Sequence, residues 1–433
     1  MTIWLVKIGE PVPIAPNARD RVHRTGNLGR FLSAHGHHVI WWTSTFDHYR
    51  KKHICDEDDK TITLGDCFTV RLLRGCGYSR NIGLARMVDH ALVARRFVRA
   101  IKDEPKPDII LCALPTVELC MAATEYGRRN RVPVVLDMRD MWPDIFVEAM
   151  PKLLRVPARL LFQPLFRDAR YACADATAIT GITEAFVDWG LSRGGRTRSD
   201  LDRAFPFVYP TTQPAPEAIK EAVAFWDTRG VPEHSDRLVV SFCGNLGHQY
   251  DLVHAVDAIR LLNEFGHAVQ LVVCGTGERL DELRRYAAHV SSVLFAGWVD
   301  AAKIYVLMRR SCVGLNPLPD RYDYLATINN KAVEYLSAAL PIISCPRRGI
   351  LYGLLQKEEC GLSYDVRDTR SLAAILRTLV EDPTRLKIMS ANARRVFTEQ
   401  FEAQTICTEM SAYLEDIVST FGLISKFQSA KSA

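Results

Sequence analysis

The 433-residue chain has no apolar run approaching the roughly 20 residues that a bilayer-spanning helix needs, which argues against a transmembrane protein. Its opening, Met1-Thr2-Ile3-Trp4-Leu5-Val6, reads as a short strand followed by charge and not as a secretory leader, so a leaderless chain is expected. The 12 cysteines show no paired metal spacing, which sets zinc aside. Cys112, Cys243, Cys274 and Cys345 sit inside apolar stretches, as reduced core thiols of a cytosolic protein do. The dinucleotide fingerprint fails twice. No Gly-x-Gly-x-x-Gly follows the first strand, and after Gly275-Thr276-Gly277 the third glycine position is Leu280. Nor is there a nucleic-acid recognition motif or an interleaving of aromatic and basic residues.

What is present describes a soluble globular protein: 48% hydrophobic and 24% charged, long enough for two domains with separate cores. The net charge of +5 is uneven. Residues 1–210 hold 31 Lys and Arg against 24 Asp and Glu, the remainder 24 against 26. A basic first half points to an anionic partner, either a membrane leaflet or a phosphate-linked lipid acceptor. Two segments fit this. From Leu84 to Lys102 an apolar stripe (Leu84, Val88, Ala91, Leu92, Val98, Ile101) is flanked by arginines. From Lys152 to Arg170 five basic residues and one acid, Asp168, accompany a run of leucines and phenylalanines. Such helices lie on anionic bilayers or pack on a sheet with a wet basic face.

Apolar strands alternate with helical patterns along the chain, which predicts an α/β protein with parallel sheets. Strands are expected at 3–8, 39–43, 108–113, 132–137, 174–180, 237–243, 269–274, 293–299, 312–317 and 342–345, and a first helix at about 20–35. The proline-bearing stretch Pro210 to Pro216 reads as a linker. The expected domains are 1–212 and 213–400, with a helix at 401–425 returning to the first and a disordered tail at 426–433. Residues 46–66 read as polar loop. The Asp-x-Asp patterns within Asp56–Asp59 and at Asp200–Asp202 read as solvated turns, not metal ligands.

The most informative stretch is Asn329 to Pro346, a helix ended by Pro341 and followed by the strand Ile342–Cys345. With the strand before it, this is one turn of a parallel sheet, where ligands bind beyond the carboxyl ends of strands. Lys331 and Glu334 project from one side of the first helical turn. Free N–H groups and a lysine suit a diphosphate, and a carboxylate suits sugar hydroxyls. A solvated helix face is the alternative. Gly244-Asn245-Leu246-Gly247 closes another strand, where glycines either admit a phosphate or make a tight turn. In the first half, the strand 132–137 runs into Met138-Arg139-Asp140-Met141-Trp142-Pro143-Asp144. Asp140, ahead of Asp144, is the candidate to orient or deprotonate an acceptor hydroxyl. Arg139 could instead neutralise Asp140 in a structural pair.

These stretches, 1–50, 132–146, 237–250 and 329–345, resemble bacterial family 4 glycosyltransferases, retaining enzymes of the two-domain GT-B fold. The segments KIGEPVPI, HRTG and WWTSTFDHYRKKH are similar to O-antigen and capsule enzymes, including aminodeoxyhexose transferases of the fucosamine type. The resemblance implies two Rossmann-like domains facing a central cleft, acceptor on the first and nucleotide-sugar donor on the second. It implies that Glu334 holds the ribose and Lys331 faces the diphosphate, with Gly244, Asn245, Gly247, His248, Gly275 and Gly277 around it. Trp298 and Val299 would meet the base, Arg321, Thr327 and Asn329 would line the donor, and His23, Arg24, Arg139 and Asp144 the acceptor side. Two departures stand out. A second glutamate often found eight positions before Glu334 is Ala326 here, and the usual Arg and Lys around the glycine loop are Asn245 and His248. The implied donor is a UDP-sugar, with no metal or cofactor, and the implied acceptor is a polyprenyl-diphosphate-linked glycan at the cytosolic membrane face. A 2-epimerase-like enzyme and a catalytically weak nucleotide-binding subunit are the alternatives.

Overall fold

The computed structural model describes residues 1–14, 19–81, 83–148 and 150–432, with the side chains of 423–432 left aside. Two compact units divide the chain. The first takes Met1–Ala18, Val22–Pro206 and Gln404–Ala433, the second Arg19–Arg21 and Phe207–Ala403.

In the first unit β1 (Thr2–Val6), α1 (Arg24–Ala34) and β2 (His38–Ser44) form a parallel crossover. A short hairpin, β3 (Phe46–Asp47) and β4 (Lys52–His53), precedes the antiparallel pair β5 (Asp59–Gly65) and β6 (Phe68–Leu73). Next come α2 (Leu84–Ala100), β7 (Ile109–Ala113), α3 (Val117–Asn130) and β8 (Val134–Met138). The helices α4 (Asp144–Glu148), α5 (Arg155–Leu161) and α6 (Gln163–Asp175) lead to β9 (Ala178–Gly181), α7 (Glu184–Gly194) and β10 (Arg203–Ala204). The sheet order is β10-β9-β8-β7-β1-β2-β6-β5, parallel except for the edge strand β5. Central strands are covered on both faces, so they are apolar throughout: every residue of β7 and β8 is buried. Trp42 packs edge-on against Trp4 at 5.4 Å and Phe97 at 5.3 Å, giving the core its largest contacts.

The second unit begins with α8 (Pro216–Asp227), β11 (Leu238–Cys243), α9 (Val253–Glu264), β12 (Val269–Cys274) and α10 (Leu280–Tyr286). It continues with β13 (Val293–Gly297), α11 (Ala301–Arg310), β14 (Val313–Pro317), α12 (Tyr322–Leu325), α13 (Asn330–Ser337) and β15 (Ile342–Cys345). It closes with α14 (Ile350–Glu358), β16 (Gly361–Ser363), α15 (Thr369–Glu381) and α16 (Pro383–Gln400). Its sheet is all parallel, in the order β13-β12-β11-β14-β15-β16. The last helix, α17 (Ala403–Ser432), joins the first unit from Gln404 onward. Within that unit Tyr413 on α17 donates to Leu201 O at 2.7 Å.

The structure bears on three sequence expectations. Residues 46–66 contain three strands, and β5 carries the period-2 pattern of a sheet edge, with its residues alternately exposed and half-buried. Of the apolar stripe along α2, Leu84, Val88 and Val98 are exposed, Ala91 and Leu92 half-buried and Ile101 buried, while Asp89, His90, Val93, Ala94 and Phe97 face in. The inward Asp89 is satisfied by the Gly77 N–H, which donates to it at 2.7 Å. Asp202 is no solvated turn: it is 3% exposed and accepts from Ile179 N at 2.7 Å and Ser199 N at 2.8 Å.

Candidate functional site

Helix α13 owes its start to Asn329, whose side-chain oxygen accepts from Ala332 N at 3.1 Å. The same amide pairs reciprocally with Asn316 at the end of β14, both bonds 3.1 Å. One turn further on, the buried Tyr335 hydroxyl donates toward Leu315 O (3.1 Å) and Ser241 O (3.3 Å), pinning the helix to β14 and β11. A fixed first turn therefore presents Lys331 and Glu334 beyond the carboxyl ends of those strands.

The Lys331 ammonium donates to Tyr250 Oη at 2.8 Å and lies 4.0 Å from that ring's centroid. Its stem rests on Gly244, where a Cβ would come within 2.3 Å of Lys331 Cε. Burial, then the neighbouring charge of Arg21, bring the Lys331 pKa down to about 7. Glu334 is 1% exposed. Its Oε2 accepts from Arg21 Nη1, whereas Oε1 is buried with no hydrogen-bond partner among the described residues. Nearby in sequence, Thr327 Oγ1 is likewise buried and unpartnered. Burial and then Glu334 push the Tyr209 phenol well above its ordinary value, which places that ring at the same carboxylate.

Two glycine loops meet under this turn. Leu246 N donates to Thr276 O at 2.9 Å, and Gly244 N to Cys274 O at 2.9 Å. Gly275 has φ +132, and a Cβ there would lie 1.8 Å from Gly244 O. Only glycine allows both the backbone angle and the approach. Gly277 lies against Asn245 and Leu246 in the same way. The second unit thus brings Gly244, Asn245, Gly275, Gly277 and Lys331 together, with Gly247 and His248 continuing the first loop. Asn329 and Thr327 belong to the start of α13. Arg321 donates two hydrogen bonds to the Asp323 carboxylate, at 2.5 and 2.6 Å. Trp298 is 44% exposed after β13, whereas Val299 is 5% exposed and packs in the core. Ala326 is also buried.

In the first unit two of the four predicted acceptor-side residues, Arg24 and Arg139, join an ionic knot. Arg139 donates to Asp137 Oδ2 (2.7 Å), Thr25 Oγ1 (2.8 Å) and Glu10. Arg24 donates to Asp137 Oδ1 (3.3 Å), Pro206 O (2.8 Å) and Phe205 O. Asp137 is 0% exposed, and although burial favours its neutral form, Arg24 and Arg139 hold its carboxyl below the usual range. Arg139 therefore pairs with Asp137 and Glu10. Asp140 accepts from Met141 N at 2.8 Å. Asp144 accepts from Trp189 Nε1 at 3.1 Å and from Arg193. His23 precedes α1 and stacks on Tyr49, centroids 6.1 Å apart. Sequence reading missed Arg21, Glu10 and Asp137. The available signal was the dense basic run Arg19, Arg21, Arg24 beside the first loop, since nothing local names its partners.

Residues 237–382, about a third of the chain, match the family described as glycosyl transferases group 1. Glycogen synthase of Mycobacterium tuberculosis is 23% identical over 171 residues, 39% of this chain and 40% of that protein, so the match spans well under half the relative's length. Among solved structures, sucrose-phosphate synthase of Thermosynechococcus elongatus superposes with a TM-score of 0.67 at 17% identity, covering 97% of this chain and 99% of that one. Anabaena HepE in complex with UDP gives 0.64 at 15% identity, covering 96% and 100%. WaaG, a glycosyltransferase involved in lipopolysaccharide biosynthesis, gives 0.65 at 13% identity, covering 96% and 99%. The chain has the two-domain α/β fold of the GT-B glycosyltransferases, and the group 1 match falls on the unit that carries Lys331 and Glu334.

Proposed function

We propose that this chain is a retaining glycosyltransferase that moves a sugar from a UDP-sugar to a lipid-linked glycan in surface polysaccharide synthesis. The observation that carries the donor half is the buried carboxylate of Glu334, one turn from Lys331 on α13, whose Oε1 has no hydrogen-bond partner among the described residues; Thr327 Oγ1, before that helix, is buried and unpartnered as well. A buried carboxylate oxygen without a donor is costly, and a ribose hydroxyl supplies one. The adjoining helix N-terminus, Lys331 and the glycine loops suit the diphosphate. Arg21 adds a second cation where Asn245 and His248 supply no fixed charge, which favours a working enzyme over a weak binding subunit.

In the proposed reaction the anomeric carbon–oxygen bond to the β-phosphate breaks and a bond to the acceptor hydroxyl oxygen forms on the same face. The acceptor proton passes to the departing phosphate oxygen. Lys331, Arg21 and the α13 N–H groups stabilise the charge that develops on the diphosphate. The lipid half is supported by α5 and the turn before it. Leu153 (92%), Val156 (70%), Leu160 (71%) and Leu161 (71%) are exposed among Lys152, Arg155 and Arg159, an arrangement that suits an anionic bilayer surface.

The test is a transfer assay with a panel of UDP-sugars, N-acetylated aminodeoxyhexoses included, and polyprenyl-diphosphate glycan acceptors, with anomeric configuration read by NMR. A glycosylated lipid with the donor's configuration supports the reading. Release of a free sugar epimer without acceptor replaces it with the epimerase.

A further inference from the structure

A second group of basic side chains converges in the first unit, beside the ionic knot but distinct from it. Lys7 ends the buried run that starts at β1, is 9% exposed, and donates to Leu114 O at a long 3.3 Å. Arg86 and His90 lie one turn apart on α2 and face the same way. The Arg86 guanidinium sits 4.5 Å from the Trp142 centroid and 5.6 Å from that of Tyr78; its Nη1 donates to Asn81 O at 2.8 Å, while its Nε is buried without an acceptor among the described residues. His90, 2% exposed, stacks on Trp142 at 5.4 Å, and its Nδ1 is buried without a partner. From the β3–β4 hairpin, His48 Nδ1 meets Tyr78 Oη at 2.6 Å, and Lys51 lies 4.8 Å from the Tyr78 centroid.

The charges around the two imidazoles are of one sign. Burial, then Arg86, Lys51, Lys7 and His90, bring His48 down to about 2. Burial, then Arg86 and Lys7, bring His90 down to about 3. Acids stand at the margin: Asp89 bonds Gly77 N and bears on Arg86 from the side of Tyr78, while Glu10 and Asp140 bear on Lys7. A guanidinium N–H and an imidazole nitrogen buried without partners are costly, and the Arg86 Nε and His90 Nδ1 point to an anion that accepts from both.

We propose that Lys7, Arg86 and His90, walled by Tyr78 and Trp142, bind a phosphate ester of the sugar acceptor. The word acceptor rests on the glycosyltransferase reading; the anion site itself does not. A phosphate oxygen takes the Arg86 and His90 donors, and the Lys7 ammonium neutralises its charge.

The test uses the full chain saturated with UDP and carrying ring-labelled histidine, titrated with inorganic phosphate, a hexose 1-phosphate and farnesyl diphosphate. The expected result is a saturable shift of the His90 and His48 ring signals and a rise in melting temperature. Arg86→Gln is expected to weaken the effect by about tenfold or more, and Arg86→Lys to restore part of it. Both variants should keep their response to UDP. A response to the hexose phosphate alone names a soluble acceptor, and one to farnesyl diphosphate a lipid-linked one. If no phosphate moves either imidazole in a folded chain, or if Arg86→Gln binds as wild type while Lys331→Ala does not, the site is overturned. Failure of UDP to bind contradicts the donor reading and leaves the histidine titration a valid test of this one.

Discussion

Arg21 donates from Nη1 to Oε2 of Glu334, a residue 313 positions away on α13 and 1% exposed. The segment Arg19–Arg21 belongs to the second unit, where Arg19 O also accepts from Ala301 N at 3.2 Å. A residue near the start of the chain thereby pairs with a carboxylate on α13.

Removing Arg21 leaves Glu334 buried with its charge unanswered. Arg21→Gln is expected to destabilise the protein by about 2–3 kcal/mol, less than the ~3–5 kcal/mol of a fully buried pair because the Arg21 side chain is 26% exposed. Urea unfolding checks this. In the double variant with Glu334→Gln most of the loss should disappear; if the two losses simply add, the pair is not coupled.

Lys331 predicts a proton-linked ligand response. Its pKa of about 7 in the free protein makes it largely neutral at pH 8, and a bound diphosphate favours the ammonium. UDP binding at pH 8 should take up protons, seen by calorimetry in buffers of different ionisation enthalpy, and Lys331→Met should abolish the uptake. For stability the sign is opposite to that of a stabilised base. The folded pKa lies below the unfolded value of about 10.4, so the cost is full below pH 7 and falls as pH rises from 7 toward 10.4. Lys331→Met should therefore raise the melting temperature more at pH 6 than at pH 10.

Asp137→Asn removes the charge that joins Arg24 to Arg139, and about 3–5 kcal/mol of stability is expected to go with it. The wild-type Asp137 and Glu10 carboxyls are both held below their ordinary range. Their contribution is present above an unfolded pKa near 4 and is lost as pH falls through the folded values. The acid-unfolding midpoint should move up in Asp137→Asn, as circular dichroism would show.

Gly275→Ala tests the close approach of the two glycine loops. With φ +132 and Gly244 O at 1.8 Å from the new Cβ, the loops must separate, and nucleotide binding should fall at least about tenfold. Gly266→Ala is the control, since φ is +84 there but nothing lies within 4 Å of the added atom. It should cost stability of about 1 kcal/mol and leave binding intact.

The apolar face of α5 predicts membrane behaviour. Leu153→Gln with Leu160→Gln should cut binding to phosphatidylglycerol vesicles without changing the melting temperature, because both residues are exposed. Flotation on sucrose gradients reads the first and calorimetry the second.

Much of this architecture was legible in the chain. Continuous apolar runs marked β7, β8, β11 and β12, because strands covered on both faces carry no polar alternation. The start of α13 was legible too: Lys331 and Glu334 share a side by helical geometry, whatever they bind. What failed was of two kinds. The inward face of α2 carries Asp89 and His90 while Leu84, Val88 and Val98 are exposed, so apolar periodicity left open which side meets the sheet. The partners of Arg21, Asp137 and Glu10 depend on tertiary proximity, and no local pattern encodes a contact across 313 positions.

The central claim is that α13 and its neighbours hold a nucleoside diphosphate, and UDP-dependent melting of the wild type, Lys331→Ala and Glu334→Ala tests it most directly. A ligand that binds only the folded state raises the midpoint by mass action. The account predicts a clear rise with UDP for the wild type and little or none for either folded variant. A wild type that no nucleotide stabilises, or variants that respond as it does, would contradict it.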